Sequence, residues 1–189
     1  MKFAPLIIAL LPMAAQAQPA APFPASVQVS DVISAIGPGW NASAFYKAIL
    51  LRDEDYAALL IFRAPFDKTP ALYAPKLATT GNYWGTVPWL EFDDNGALLL
   101  RSENRGTGRN KWEQTLTIIE RDGRFIVSAF NLSAYDSIAP DNSTDCRIDM
   151  LAGTMQVNDQ PITPFPLPPV VLVRDWNEDL EYVCYQAGG

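Results

Sequence analysis

The sequence predicts a mainly β fold: an antiparallel meander of hairpins forming a sandwich or half-barrel, with one short N-terminal helix. Three observations carry this. Turn dipeptides stand between apolar runs at Asn95-Gly96, Asp122-Gly123 and Asn158-Asp159, and such residues accept the positive φ of tight hairpin turns. The runs themselves are short and rich in β-branched and aromatic residues, as strands are. Helical spacing of apolar residues stands out at one place, Val29, Val32, Ile33 and Ile36.

The chain opens with Lys2, an apolar run over Phe3–Leu11, Pro12, and small residues at Ala15 and Ala17. This is the layout of a secretory signal peptide, with cleavage expected after Ala17. The run is too short to span a bilayer, which takes about 20 residues. The expected location is periplasmic or secreted. Taking 17 residues from 189 leaves 172, an ordinary length for one domain. The formal charge is −7 and becomes −8 without Lys2. Such a surface repels phosphate backbones, so nucleic acid is not an expected partner.

Residues 18–26, QPAAPFPAS, form an extended lead-in to a single β-rich domain over 27–189. The helix is expected over Val27–Ile36, with Ser30 or Asp31 as N-cap and Gly37-Pro38 as its stop. Ala44–Leu51 and Tyr56–Arg63 flank Arg52-Asp53-Glu54-Asp55 as a hairpin. Proline-spaced irregular chain is expected from Ala64 to about Ala78.

Trp89–Asp93 and Ala97–Ser102 make a second hairpin, its Asn95-Gly96 predicting a type I′ turn. Trp112–Glu120 and Arg124–Tyr135 make a third about Asp122-Gly123. Counting outward from that turn pairs Ile118 with Val127, Ile119 with Ile126, Leu116 with Ala129, Thr115 with Phe130 and Trp112 with Ser133. Cys146–Val157 and Gln160–Phe165 flank Asn158-Asp159. Pro161–Pro169 holds five prolines and is expected at an edge, since proline cannot donate to a ladder. Leu180–Tyr185 is predicted as a last short strand. Cys146 and Cys184, an even pair in an exported chain, are expected to be bridged.

The stretch Leu98–Asn158 carries LLLRSEN, then GRNKWEQTLTIIERDGRFIVSAF, then Asp136, Cys146 and LAGTMQVN. In these residues the chain resembles a group of uncharacterised exported proteobacterial proteins, over about a third of its length. The resemblance implies an exported β-domain. It brings no activity and no functional residues with it.

The chain contains no histidine. That removes the usual general base and every His-based triad. Bridged cysteines offer no thiol nucleophile, and no phosphate-binding glycine loop or nucleophile elbow is present. Catalysis would fall to carboxylates, as in glycoside cleavage; the candidates are Glu91, Asp93, Glu113, Glu120, Asp136, Asp145 and Asp149. Asp141-Asn142-Ser143-Thr144-Asp145 and Asp53-Glu54-Asp55 hold oxygen donors but lack the glycine and glutamate of a calcium loop. No metal or other cofactor is expected.

The most distinctive segment is Arg101–Lys111, RSENRGTGRNK. Arg101, Arg105, Arg109 and Lys111 stand there against one acid, Glu103, in an otherwise acidic chain. Gly106 and Gly108 make the connector pliant. Guanidinium forks suit carboxylates and phosphates, so these six residues are the candidate anion or partner contact. Tyr83, Trp84 and Trp89 cluster with Gly81 and Gly85 and are the candidate aromatic surface. A rigid β scaffold with irregular loops presents such contacts well. The expected function is a non-enzymatic protein-binding or inhibitor-type module, with an envelope protein or glycan as partner. The alternatives are a carboxylate-based hydrolase of envelope polysaccharide and a structural envelope component.

Overall fold

Local turn chemistry sets the order of the strands. In the computed structural model, residues 32–37, 47–64, 66–80, 86–106 and 108–187 are described. The expected signal peptide, the expected lead-in, residues 27–31 of the expected helix, and Tyr83 and Trp84 lie outside them. Among the described residues, the strands form two antiparallel sheets. The smaller has β1 (Val32–Ile36), β2 (Lys47–Asp53), β3 (Tyr56–Phe62) and β4 (Leu72–Thr79) in sequential order. The larger comprises β5 (Trp89–Phe92), β6 (Leu98–Asn104), β7 (Asn110–Arg121), β8 (Arg124–Asp136), β9 (Ser143–Asp149), β10 (Thr154–Val157) and β11 (Gln160–Pro161), again in sequential order. Neither sheet closes on itself. A helix, α1 (Glu178–Ala187), follows a 3₁₀ turn at Val173–Asp175. No helix among the described residues is long and apolar enough to cross a membrane.

One core joins the sheets. Leu50, Leu59 and Ile61 of the smaller sheet share it with Leu98, Leu116, Ile118, Phe130 and Ile148 of the larger. Strand β3 is buried on both faces, because Leu60 and Phe62 enter a second cluster with Leu51. Where β1 meets β5, the Leu90 N–H donates to Ser34 Oγ at 3.1 Å.

The hairpin at Asp122-Gly123 is as the sequence predicts. Both residues have positive φ, 52° and 74°, and Arg121 pairs with Arg124. Ile118 faces Val127 and Ile119 faces Ile126 as counted. Beyond them a bulge intervenes: Leu116 pairs with Phe130, Thr115 with Asn131 and Trp112 with Ala134. The extra residue is Ser128, whose hydroxyl donates to the Thr117 carbonyl at 3.2 Å. An extra residue reverses strand alternation. That is why Val127 and Phe130, three positions apart, both reach the core.

The same device explains why the described half of the expected N-terminal helix is a strand. Its described half, Val32–Ile36, is β1, paired with β2. The register shifts between Val32 and Ser34, so Ile33 and Ile36 both pack on the core despite their helical spacing. Their β-branched side chains favour the strand once a partner is available.

Three further expectations are corrected. The irregular chain expected to Ala78 contains β4, an edge strand that accommodates Pro75 at a break in register; there Lys76 has φ 54°. The arm expected over Cys146–Val157 turns back at Met150–Gly153, where Asp149 Oδ1 accepts the Leu151 and Ala152 N–H groups, each at 2.9 Å. The strand expected at Leu180–Tyr185 is α1. Asn177 caps it, its Oδ1 accepting the Leu180 N–H at 3.2 Å. Leu180, Val183 and Cys184 then pack inward at helical spacing.

The Asn95-Gly96 hairpin is present, with a three-residue loop in place of the two-residue turn. Asp93 pairs with Ala97, and the Gly96 N–H donates to the Asp93 carbonyl at 3.0 Å. Gly96 alone takes the left-handed conformation in this loop, with φ 80°.

Candidate functional site

A groove of about 770 Å³ lies at one end of the larger sheet. Asn110–Trp112 of β7, Ala134–Asp136 of β8 and Thr144 of β9 contribute to it, with Gly108, Arg109 and Asn142 from the connectors and Tyr182 and Tyr185 from α1. The Cys146–Cys184 disulfide, Cα to Cα 5.7 Å, ties α1 to β9. The helix is therefore attached to the strand whose end lines the groove.

The expected basic segment divides. Arg101, on β6, pairs with Glu91 across the sheet. Arg105 contacts Glu103 at 2.8 Å and Glu113 at 2.6 Å. These two arginines are matched by neighbouring acids and do not line the groove. Gly106 is exposed outside it. Gly108, with φ 72°, Arg109 and Lys111 do line it. Arg109 binds Asp136, whose Oδ1 also accepts the Ile138 N–H at 2.9 Å. The Arg109 hydrogen bond, followed by the Ile138 N–H, holds the Asp136 carboxyl down at about 2. Lys111 is half-buried and, among the described residues, has no acid partner.

The groove's aromatic surface was not foreseen. Tyr182 and Tyr185 are 57% and 44% exposed, with Trp112 partly buried at the same groove; Tyr135, 47% exposed, pairs with Lys111 on the other face of the sheet from Trp112, Cys146 and α1. Tyr182 and Tyr185 stand 6.2 Å apart between ring centroids, tilted by 39°. Burial, then the charge of Glu181, pushes the Tyr185 hydroxyl upward from its ordinary value. The available signal was the three-residue spacing of the two tyrosines, which places them on one side of a helix but on opposite faces of a strand. Trp89 sits half-buried in β5, opposite Arg101 and apart from the groove.

Each carboxylate weighed for catalysis has a structural partner. Glu91, Glu113, Glu120, Asp136 and Asp145 bind Arg101, Arg105, Arg63, Arg109 and Arg147. Asp93 accepts the Asn95 and Ala97 N–H groups at 2.9 and 2.7 Å, and Asp149 caps the Met150–Gly153 turn. Of these acids, Asp136 lies in the groove. In the two oxygen-rich segments, Asp145 faces Arg147 at 2.8 Å and Glu54 forms a hairpin turn with φ 57°. Among the described residues, no three His, Cys, Asp or Glu side chains gather as a metal site. No protein family, curated protein or solved structure matches the chain.

Proposed function

We propose that the protein is a non-enzymatic binding module, periplasmic or secreted, and that the groove is its contact face. The carrying observation is the pair of exposed neighbouring tyrosines, Tyr182 and Tyr185, at a groove they share with Trp112, on a helix pinned by a disulfide. Exposed tyrosines supply broad contact area with little conformational entropy to lose. The disulfide fits an oxidising compartment. The hydrolase reading has less support. A general acid needs a raised pKa, whereas the groove's Asp136 is depressed and committed to Arg109.

The test is incubation of purified protein with solubilised cell envelope, followed by mass spectrometry of retained proteins and glycans. A Tyr182→Ala/Tyr185→Ala variant runs in parallel. Retention of an intact component by wild type, and its loss from the variant, is the expected outcome. Cleavage products that accumulate with time and enzyme concentration would establish an enzyme instead.

A further inference from the structure

We propose that the groove binds an uncharged oligosaccharide, with sugar faces on Trp112, Tyr182 and Tyr185 and sugar hydroxyl groups on Asn110, Asn142 and Thr144. This rests on the binding reading above and names its ligand class.

One face of the larger sheet carries the site. Asn104, Trp112, Ala134 and Thr144 follow one another in register across β6, β7, β8 and β9, so their side chains share a face. Cys146, two positions after Thr144, lies on that face too, and its bridge to Cys184 brings α1 against it. The four residues line the groove together with Tyr182 and Tyr185. The row is a floor and the tyrosines are a wall, set as two facets by their 39° tilt. Ala134, the smallest of the row, leaves room beside the Trp112 indole. Asn104 Nδ2 donates to the Asn110 carbonyl at 3.1 Å, which fastens the ends of β6 and β7 beneath the groove.

The lining favours a sugar over a peptide. Strands β7, β8 and β9 are interior to their sheet, so their main-chain groups are spent on neighbours and cannot take up a peptide by strand addition. Recognition falls to side chains: aromatic rings, the Asn110 and Asn142 amides and the Thr144 hydroxyl, which both donate and accept. A sugar meets that set with its C–H faces and hydroxyl edges. The volume of about 770 Å³ falls within the range of about 300–1,000 Å³ typical of small-ligand sites. The charge pattern makes the ligand neutral. Arg109 and Asp136, both at the groove, neutralise each other, and Lys111 belongs to the other face of the sheet. An anion would also meet the chain's formal charge of −7.

Calorimetric titration of the purified protein decides this with four probes: a neutral chito-tetramer, a neutral gluco-tetramer, a uronic-acid tetramer and choline, a quaternary ammonium. One of the two neutral tetramers is expected to bind about tenfold or more tighter than the uronic-acid tetramer and choline, and which one does so shows whether acetamido groups are read. Raising the salt from about 0.05 to 0.5 M is expected to leave that affinity unchanged, because no ion pair forms. Tyr182→Ala/Tyr185→Ala, with its fold checked by circular dichroism, is expected to weaken it about tenfold or more. Ala134→Met, which fills the floor and removes no contacting group, is expected to do the same. Trp89→Ala, an aromatic change apart from the groove, is expected to alter nothing. Tighter binding of the uronic acid or of choline, full neutral-sugar affinity in both groove variants, or no sugar binding would each overturn the proposal. If the sugars fail while the tyrosine variant still loses its envelope component, the glycan assignment falls alone. If the variant retains that component, the binding face falls with it.

Discussion

Arg109 directs both Nε and Nη2 at one oxygen of Asp136, Oδ2, with the Nε contact at 2.5 Å. The other oxygen holds the Ile138 N–H at 2.9 Å. The Ser137 N–H donates in turn to the Arg109 carbonyl at 3.0 Å. One carboxylate thereby joins the connector before β7 to the turn after β8 at the rim of the groove.

This clamp makes stability depend on pH in a defined direction. The folded-state pKa of Asp136 is lowered from 3.8 to about 2. A depressed carboxyl contributes fully above its unfolded value and loses that contribution as pH falls through the folded one. Asp136→Asn is therefore expected to be less stable than wild type at pH 6. Its deficit should shrink from about pH 4 to pH 2. Thermal unfolding across this range tests it; a deficit that does not change with pH would refute the linkage.

The disulfide spans 38 positions. Chain entropy gives such a bridge about 4 kcal/mol of stabilisation. A Cys146→Ser/Cys184→Ser variant should lower the urea midpoint accordingly. Protease should also cut within α1 earlier than within the sheets, because the variant removes the covalent tie between α1 and β9. Simultaneous cutting throughout the chain would show that α1 is not a separable element.

Asn177 supplies the N-cap of α1 through Leu180. Asn177→Ala is expected to cost about 1 kcal/mol. Hydrogen exchange should quicken at the first-turn amides of α1 and stay unchanged in β7 and β8. Unchanged exchange at Leu180 would show that this cap contributes little.

Gly123 holds φ at 74° in the β7–β8 turn. A Cβ built there meets nothing within 4 Å, so any cost of Gly123→Ala comes from the backbone. It is expected at about 1–2 kcal/mol, measured by denaturant unfolding. Gly106→Ala serves as the control: its Cβ also meets nothing within 4 Å, and no positive φ applies.

The hairpins were legible because turn preference acts over two or three residues. Asp122-Gly123 and Asn158-Asp159 adopt positive φ with little help from distant chain. The disulfide was legible from cysteine count and context. The registers were legible only as far as the first bulge. Ser128 and Ile33 are ordinary strand residues by composition; their extra positions follow from which side chains must reach the core. Spacings of three, Val127 to Phe130 and Ile33 to Ile36, are helical on paper and become strand spacings once a bulge intervenes.

The candidate site divides in the same way. The charge inversion over Arg101–Lys111 pointed to Gly108, Arg109 and Lys111, three of the groove's residues. It did not separate them from Arg101 and Arg105, because their acid partners come from other strands, save Glu103 on β6. The tyrosines stayed hidden because Leu180–Tyr185 suits a strand by propensity.

The sequence by itself determined the β class, the position of the tight turns and the pairing of the two cysteines. Each depends on the backbone freedom of one or two residues or on the chemistry of one residue type. Tertiary structure alone decided the bulges, the helical state of the last element, and the meeting of Trp112, Tyr182 and Tyr185. Those depend on burying apolar side chains against residues far along the chain, and that energy is set by the packed core rather than by local preference.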